Sequence, residues 1–181
     1  DAPSYSNFFD RKRHELLQQS GINLDEALSA AIAADNAMID GINRRADTVI
    51  GIHFCRGNKR SAWGAEGSYE PIADKVFGSL KMDRYLLEFD SERAGGFEPL
   101  RFVPTGKTVV LGLITTKEPE LESVDELLRR IEQASKYVPM ENLAVSTQCG
   151  FASAASGNLI SWDDMRRKLE LVAEVARTVW G

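Results

Sequence analysis

Apolar residues along the chain follow two alternating rhythms. Short, nearly unbroken apolar runs occur at 47–54 (DTVIGIHF), 84–90 (RYLLEFD), 108–115 (TVVLGLIT) and 142–147 (NLAVST). They are rich in Val, Ile and Leu, the pattern of strands buried on both faces of a parallel sheet. Elsewhere the apolar positions recur at helical spacing. Residues 24–43 place Leu24, Leu28, Ala31, Ile32, Met38, Ile39 and Ile42 on one side, with Asn23 and Glu26 as the start signal. Ser68 precedes a stretch carrying Ile72, Ala73, Val76, Phe77 and Leu80, with Pro71 tolerated in its first turn. Ser123 and Glu126 form a capping-box pair ahead of Leu127, Leu128, Ile131 and Ala134. Ser161 and Asp164 repeat the device before Met165, Leu169, Val172, Ala173, Ala176 and Val179.

Strands alternating with amphipathic helices predict an α/β fold with a parallel sheet. Four strands and their helices amount to about half of an eight-stranded β/α barrel, which typically takes about 250 residues. Two architectures fit: a small doubly wound domain, or the C-terminal half of a TIM-type β/α barrel whose upstream half is not in this sequence. An open four-stranded sheet leaves two edges to cover, and Asp1-Ala2-Pro3 has no strand ahead of it. The placement of the chemistry described below favours the half-barrel. Residues 1–181 are expected to form one domain.

The 181 residues are 43% hydrophobic and 27% charged, with 22 Lys and Arg against 27 Asp and Glu. A net charge of −5 argues against a general nucleic-acid binder, which needs a basic surface to displace counterions. No apolar run approaches the roughly 20 residues needed to span a bilayer. The first residues, DAPSYSNFFDRKRHE, lack the layout of a secretory signal. The cytosol is the expected location, with no membrane or nucleic-acid partner. Two cysteines, Cys55 and Cys149, are too few for a disulfide framework.

The first strand runs into IHFCRGN, where His53 and Cys55 are two apart and point the same way on an extended backbone. An imidazole and a thiolate on one face can share a tetrahedral metal ion. The same pair also describes a hydrogen-bonded buried histidine beside a small apolar cysteine. Glu88 ends the second apolar run, where a carboxylate must be paired, for instance with Arg93, or bind a cation. Cys149 lies just past the fourth strand, with Gly150 permitting a tight turn. Position unites them: His53, Cys55, Glu88 and Cys149 all fall at C-terminal strand ends, the face where parallel sheets assemble sites. One His, two Cys and one Glu make a sensible zinc set. A Cys55–Cys149 disulfide is the rival use of the thiols, and it leaves His53 and Glu88 unexplained.

Four segments in order, IHFCRGN, YLLEFDSERAGGFEPL, VVLGLITTKEPELES and LAVSTQCGFAS, resemble the catalytic domain of cobalamin-independent methionine synthases. The resemblance runs over nearly the whole chain. It implies a β/α barrel and a catalytic zinc held by His53, Cys55, Glu88 and Cys149, with Glu88 the ligand that an incoming sulfur displaces. It also implies homocysteine and a methyltetrahydrofolate as substrates. Asp1-Ala2-Pro3 resembles the end of a Gln-Ile-Asp-Glu-Pro-like segment, so Asp1 inherits a role on the amino group of homocysteine. The family's first barrel strands have no counterpart here, which implies that an upstream half, a partner chain or a second copy completes the barrel.

Many long members carry Ile-His-Ser-Pro where this chain has Ile114-Thr115-Thr116-Lys117-Glu118-Pro119. Lys117 is then the candidate to protonate the leaving nitrogen. The CRGN segment also resembles short members that open epoxides with coenzyme M, and Arg56 is a candidate to pair with an anionic substrate group. A third reading is a non-catalytic domain that a metal merely stabilises.

Overall fold

The computed structural model describes residues 1–181. Its centre is a parallel sheet of β1 (Gly51–Phe54), β2 (Arg84–Glu88), β3 (Thr108–Ile114) and β4 (Leu143–Thr147), hydrogen-bonded in the order β1-β2-β3-β4. Around it run α1 (Ser6–Phe9), α2 (Arg11–Gln19), α3 (Leu24–Asp40), α4 (Glu70–Ser79), α5 (Val124–Ala134) and α6 (Trp162–Trp180).

Strand order in space follows strand order in sequence. A doubly wound sheet must reverse its order at a switch point, whereas a barrel adds each strand beside the last. The architecture is therefore that of half a β/α barrel. Alternation along the strands confirms the winding. Ile52, Phe54, Tyr85, Leu87, Val109, Leu111, Leu113, Leu143 and Val145 belong to the one large apolar core, together with Ile72, Val76 and Phe77 of α4, Leu127 and Ile131 of α5, and Leu171 and Val175 of α6. On the opposite face, His53, Leu86, Ala144 and Ser146 are half-buried.

Local chemistry sets the element ends. Asn23 caps α3 by accepting the Asp25 and Glu26 N–H groups at 3.1 and 3.3 Å, and α3 stops at Asp40 rather than 43. α6 opens on the expected capping box, Ser161 with Asp164. The Ser123 side chain makes no cap bond, so the box expected there does not form. Just ahead of it, Glu122 accepts the Thr115 N–H at 2.7 Å and the Lys168 ammonium at 3.2 Å, which fixes the entry to α5 by other means. β1 begins at Gly51, four residues later than expected. Before it, Arg45 and Asp47 pair in an exposed turn, Val49 is exposed, and the Asp83 carboxylate takes the Ile50 N–H at 2.9 Å.

Candidate metal centre

β1 carries His53 and delivers Cys55 one residue past its end, β2 ends on Glu88, and Cys149 comes two residues after β4. The four side chains meet: one ligand atom from each lies within 4.8 Å of all the others. The two sulfurs are 3.8 Å apart. Two thiolates each about 2.3 Å from a tetrahedral ion stand about 3.8 Å apart, so this separation suits a shared metal. A disulfide needs about 2.05 Å, and both cysteines are free, which sets the rival pairing aside.

A glycine makes this approach possible. The β3–β4 register slips between Gly112 and Ile114. A Cβ on Gly112 would stand 2.8 Å from Gln148 Cα and 2.9 Å from Leu87 O. No side chain fits there, so the end of β4 closes in on its neighbours and Cys149 is brought into the cluster.

His53 is oriented for ligation. Its Nδ1 faces Leu86 O at 3.3 Å, which assigns the ring proton to Nδ1 and turns Nε2 toward Glu88 Oε1 at 3.6 Å. That Nε2 is buried and has no hydrogen-bond partner. Burial alone would lower the imidazole's pKa, but the neighbouring Cys149 and the charge of Glu88 outweigh it, and the net shift is upward. The thiols divide unequally. The Cys55–Cys149 hydrogen bond pushes Cys149 down and Cys55 up. An unpartnered imidazole nitrogen, two sulfurs and a carboxylate converging in a half-buried space form a donor set that fits zinc.

Glu88 is fully buried. Its Oε1 accepts the Arg56 N–H at 2.9 Å and its Oε2 the Arg93 guanidinium at 3.2 Å. Burial raises its carboxyl above the usual range, against the pull of these two donors. Arg93 also pairs with Asp90 at 3.0 Å, bonds Ala65 O at 3.1 Å and lies over the Trp63 ring at 4.6 Å.

The remaining expected residues divide. Ala2 N–H donates to His53 O at 2.8 Å along the outer edge of β1, and the neighbouring Asp1 is exposed. Arg56, expected to meet an anionic substrate group, has its guanidinium fully buried between the Phe9 and Tyr69 rings and bonded to Gly67 O at 2.7 Å. Its backbone N–H, not its side chain, serves the site. Lys117, expected as a proton source, is turned to Gly57 O and Asn58 Oδ1. Sequence reasoning missed Asn58, Thr116 and Gln148, all buried around the cysteine loops. A cavity of about 270 Å³ opens beside the cluster, lined by His53, Leu86, Leu87, Ser146, Thr147, Gln148, Cys149 and Gly150.

The family described as "Cobalamin-independent synthase, Catalytic domain" matches residues 14–178. This chain belongs to that family. A Bacillus subtilis (strain 168) protein named YxjG is 40% identical over 181 residues, covering 99% of this chain and 47% of its own length. A methionine synthase of Pyrococcus abyssi (strain GE5 / Orsay) is 26% identical over 136 residues, 75% of this chain and 36% of that protein. The crystal structure of a Listeria monocytogenes protein assigned as a vitamin-B12-independent methionine synthase superposes with a TM-score of 0.74 at 28% identity. That match covers 99% of this chain and 46% of the Listeria chain, so the family member described here spans about half the length of the relatives it matches.

Proposed function

We propose that this chain carries the zinc-holding half of an enzyme that transfers a methyl group to a thiol, from a 5-methyltetrahydrofolate to homocysteine. The observation that carries this reading is the convergence of His53, Cys55, Glu88 and Cys149 within 4.8 Å in a chain of this family. Those four residues would hold the ion, and zinc bound there supplies the positive charge that lets a coordinated thiol ionise near neutral pH.

The chain's own groups prepare that chemistry. Leu86 O holds the imidazole tautomer that leaves Nε2 free to ligate. Arg93 and the Arg56 N–H share the Glu88 oxygens, which makes Glu88 the loosest of the four donors. Asp1 would pair with the ammonium group of the amino-acid substrate, a reading supported by the bond from its neighbour Ala2 to His53 O. In the reaction the sulfur–methyl bond forms as the N5–methyl bond breaks, and N5 keeps the electron pair and takes up a proton.

The test is metal content together with product analysis on purified protein containing this chain. Stoichiometric zinc, with methionine formed from homocysteine and the methyl folate, is expected. Absence of zinc after purification without chelators, or turnover only with coenzyme M and an epoxide, overturns the proposal.

A further inference from the structure

Cys55 follows β1 and Cys149 follows β4, the two outer strands of the sheet. At about 4.8 Å per strand, such strands lie about 14 Å apart along a flat sheet, yet the sulfurs are 3.8 Å apart. Sheet curvature closes part of that distance. The loops must also lean inward over the ends of β2 and β3, and they must be held there.

Lys117, three residues past the end of β3, reaches both loops from the middle. Its ammonium is buried, and it donates to Gly57 O at 3.2 Å and Asn58 Oδ1 at 3.0 Å, both on the Cys55 loop. Asn58 Nδ2 in turn donates to Gly150 O at 2.8 Å, the residue next to Cys149. The amide orientation is forced, because an ammonium only donates and a carbonyl only accepts. The Thr116 hydroxyl lies 3.1 Å from the same Gly150 carbonyl. Both Lys117 contacts are to the fold, and it is not among the residues lining the cavity. Burial and the nearby Arg93 charge push its pKa down, whereas Glu88, Asp90 and Cys149 pull it back up.

We propose that Lys117 and Asn58 form a clasp that sets the Cys55–Cys149 separation to the span a divalent metal requires, which makes them positioning residues for the metal centre. The inference rests on the reading of the four-residue cluster as a zinc site. It differs from proton donation by Lys117 in what it predicts for metal binding in the absence of any substrate.

Zinc affinity is measured by competition with a chromophoric chelator, and site geometry by the visible spectrum of the protein loaded with Co²⁺. Lys117→Met removes the donor while keeping side-chain bulk. Asn58→Asp keeps the acceptor for Lys117 but loses the hydrogen bond to Gly150. Each is expected to weaken zinc binding by about 10-fold, the low end of what outer contacts to metal ligands carry, because the clasp holds the ligand loops and not the ligands themselves, and to shift the cobalt–thiolate bands. Lys117→Arg, which restores a buried donor, should stay within about threefold of wild type. If Lys117→Met fails to fold, as judged by circular dichroism, Asn58→Asp decides. Folded variants with wild-type zinc affinity and an unchanged cobalt spectrum overturn the clasp and leave the zinc reading intact, even if turnover falls. A wild-type chain that takes up neither ion overturns both.

Discussion

Arg93 holds four partners at once: the buried carboxylates of Glu88 and Asp90, the Ala65 carbonyl and the face of Trp63. Its side chain is 4% exposed, and those of the two carboxylates 0% and 2%, so none of the three charges has water as a substitute partner. Removing one member of such a group strands the others, which costs about 3–5 kcal/mol where a well-packed apolar replacement of the whole set would cost little. Arg93→Leu is therefore expected to lower the urea-unfolding free energy by about that much, with Arg93→Lys recovering part through the charge alone. A loss below about 1 kcal/mol would show that the carboxylates are satisfied without it. The pairing of Glu88 with Arg93 was legible in the sequence, because a lone carboxylate in an apolar run demands a partner and Arg93 is five residues on. Asn58 and Thr116 were not legible. Their partners, Lys117, Gly150 and Gln148, come from other strand ends, and no spacing along the chain encodes an approach across the sheet.

At the scale of elements, the apolar rhythm was enough to find every strand of the sheet and α3 to α6, but not α1 and α2, while the ends were decided by single hydrogen bonds. Three capping pairs looked alike in the sequence. Asn23 and Ser161 accept the N–H groups expected of them, and Ser123 does not; Glu126, its expected partner, pairs with Arg129 instead. Asp10 was not singled out, yet its buried carboxylate caps α2 by accepting the Arg13 N–H at 3.0 Å and ties it to a distant loop through the Glu66 N–H at 2.8 Å. Burial alone would raise the Asp10 carboxyl, but these two N–H groups outweigh it and hold it below the usual aspartate range. A carboxyl depressed in the folded state contributes stability that is fully present above its unfolded value of about 3.9 and is lost as pH falls through the folded value. Asp10→Ala should therefore cost about 1–2 kcal/mol at pH 7. The gap between variant and wild type should narrow below about pH 4. Urea titrations of both proteins at pH 7 and pH 3 measure it, and a gap that widens toward acid would refute the assignment.

Across the whole molecule, the sheet is open at both edges, with exposed Met38, Ile42 and Val49 toward the start of the chain and exposed Leu159, Trp162 and Leu169 toward its end. Within such a sheet the four candidate ligands come from the ends of three different strands, so an ion held among them cross-links β1, β2 and β4 at the face where no backbone ladder joins all three. An ion that binds the folded chain and has little affinity for the unfolded one stabilises it by mass action, about 2.7 kcal/mol when free metal stands at 100 times its dissociation constant. For a chain of this length each kcal/mol moves the melting temperature by roughly 2–4 °C. Chelation should then lower Tm by roughly 5–10 °C, and zinc but not magnesium should restore it, because two of the four donors are sulfurs that a hard cation does not favour. Cys149→Ser, which keeps the fold's apolar core and removes one sulfur, should melt near the chelated wild type and respond weakly to added zinc. A wild-type Tm indifferent to both chelator and zinc would mean that these strand ends are held by their hydrogen bonds alone, and that the cluster at the mouth of the sheet binds no ion.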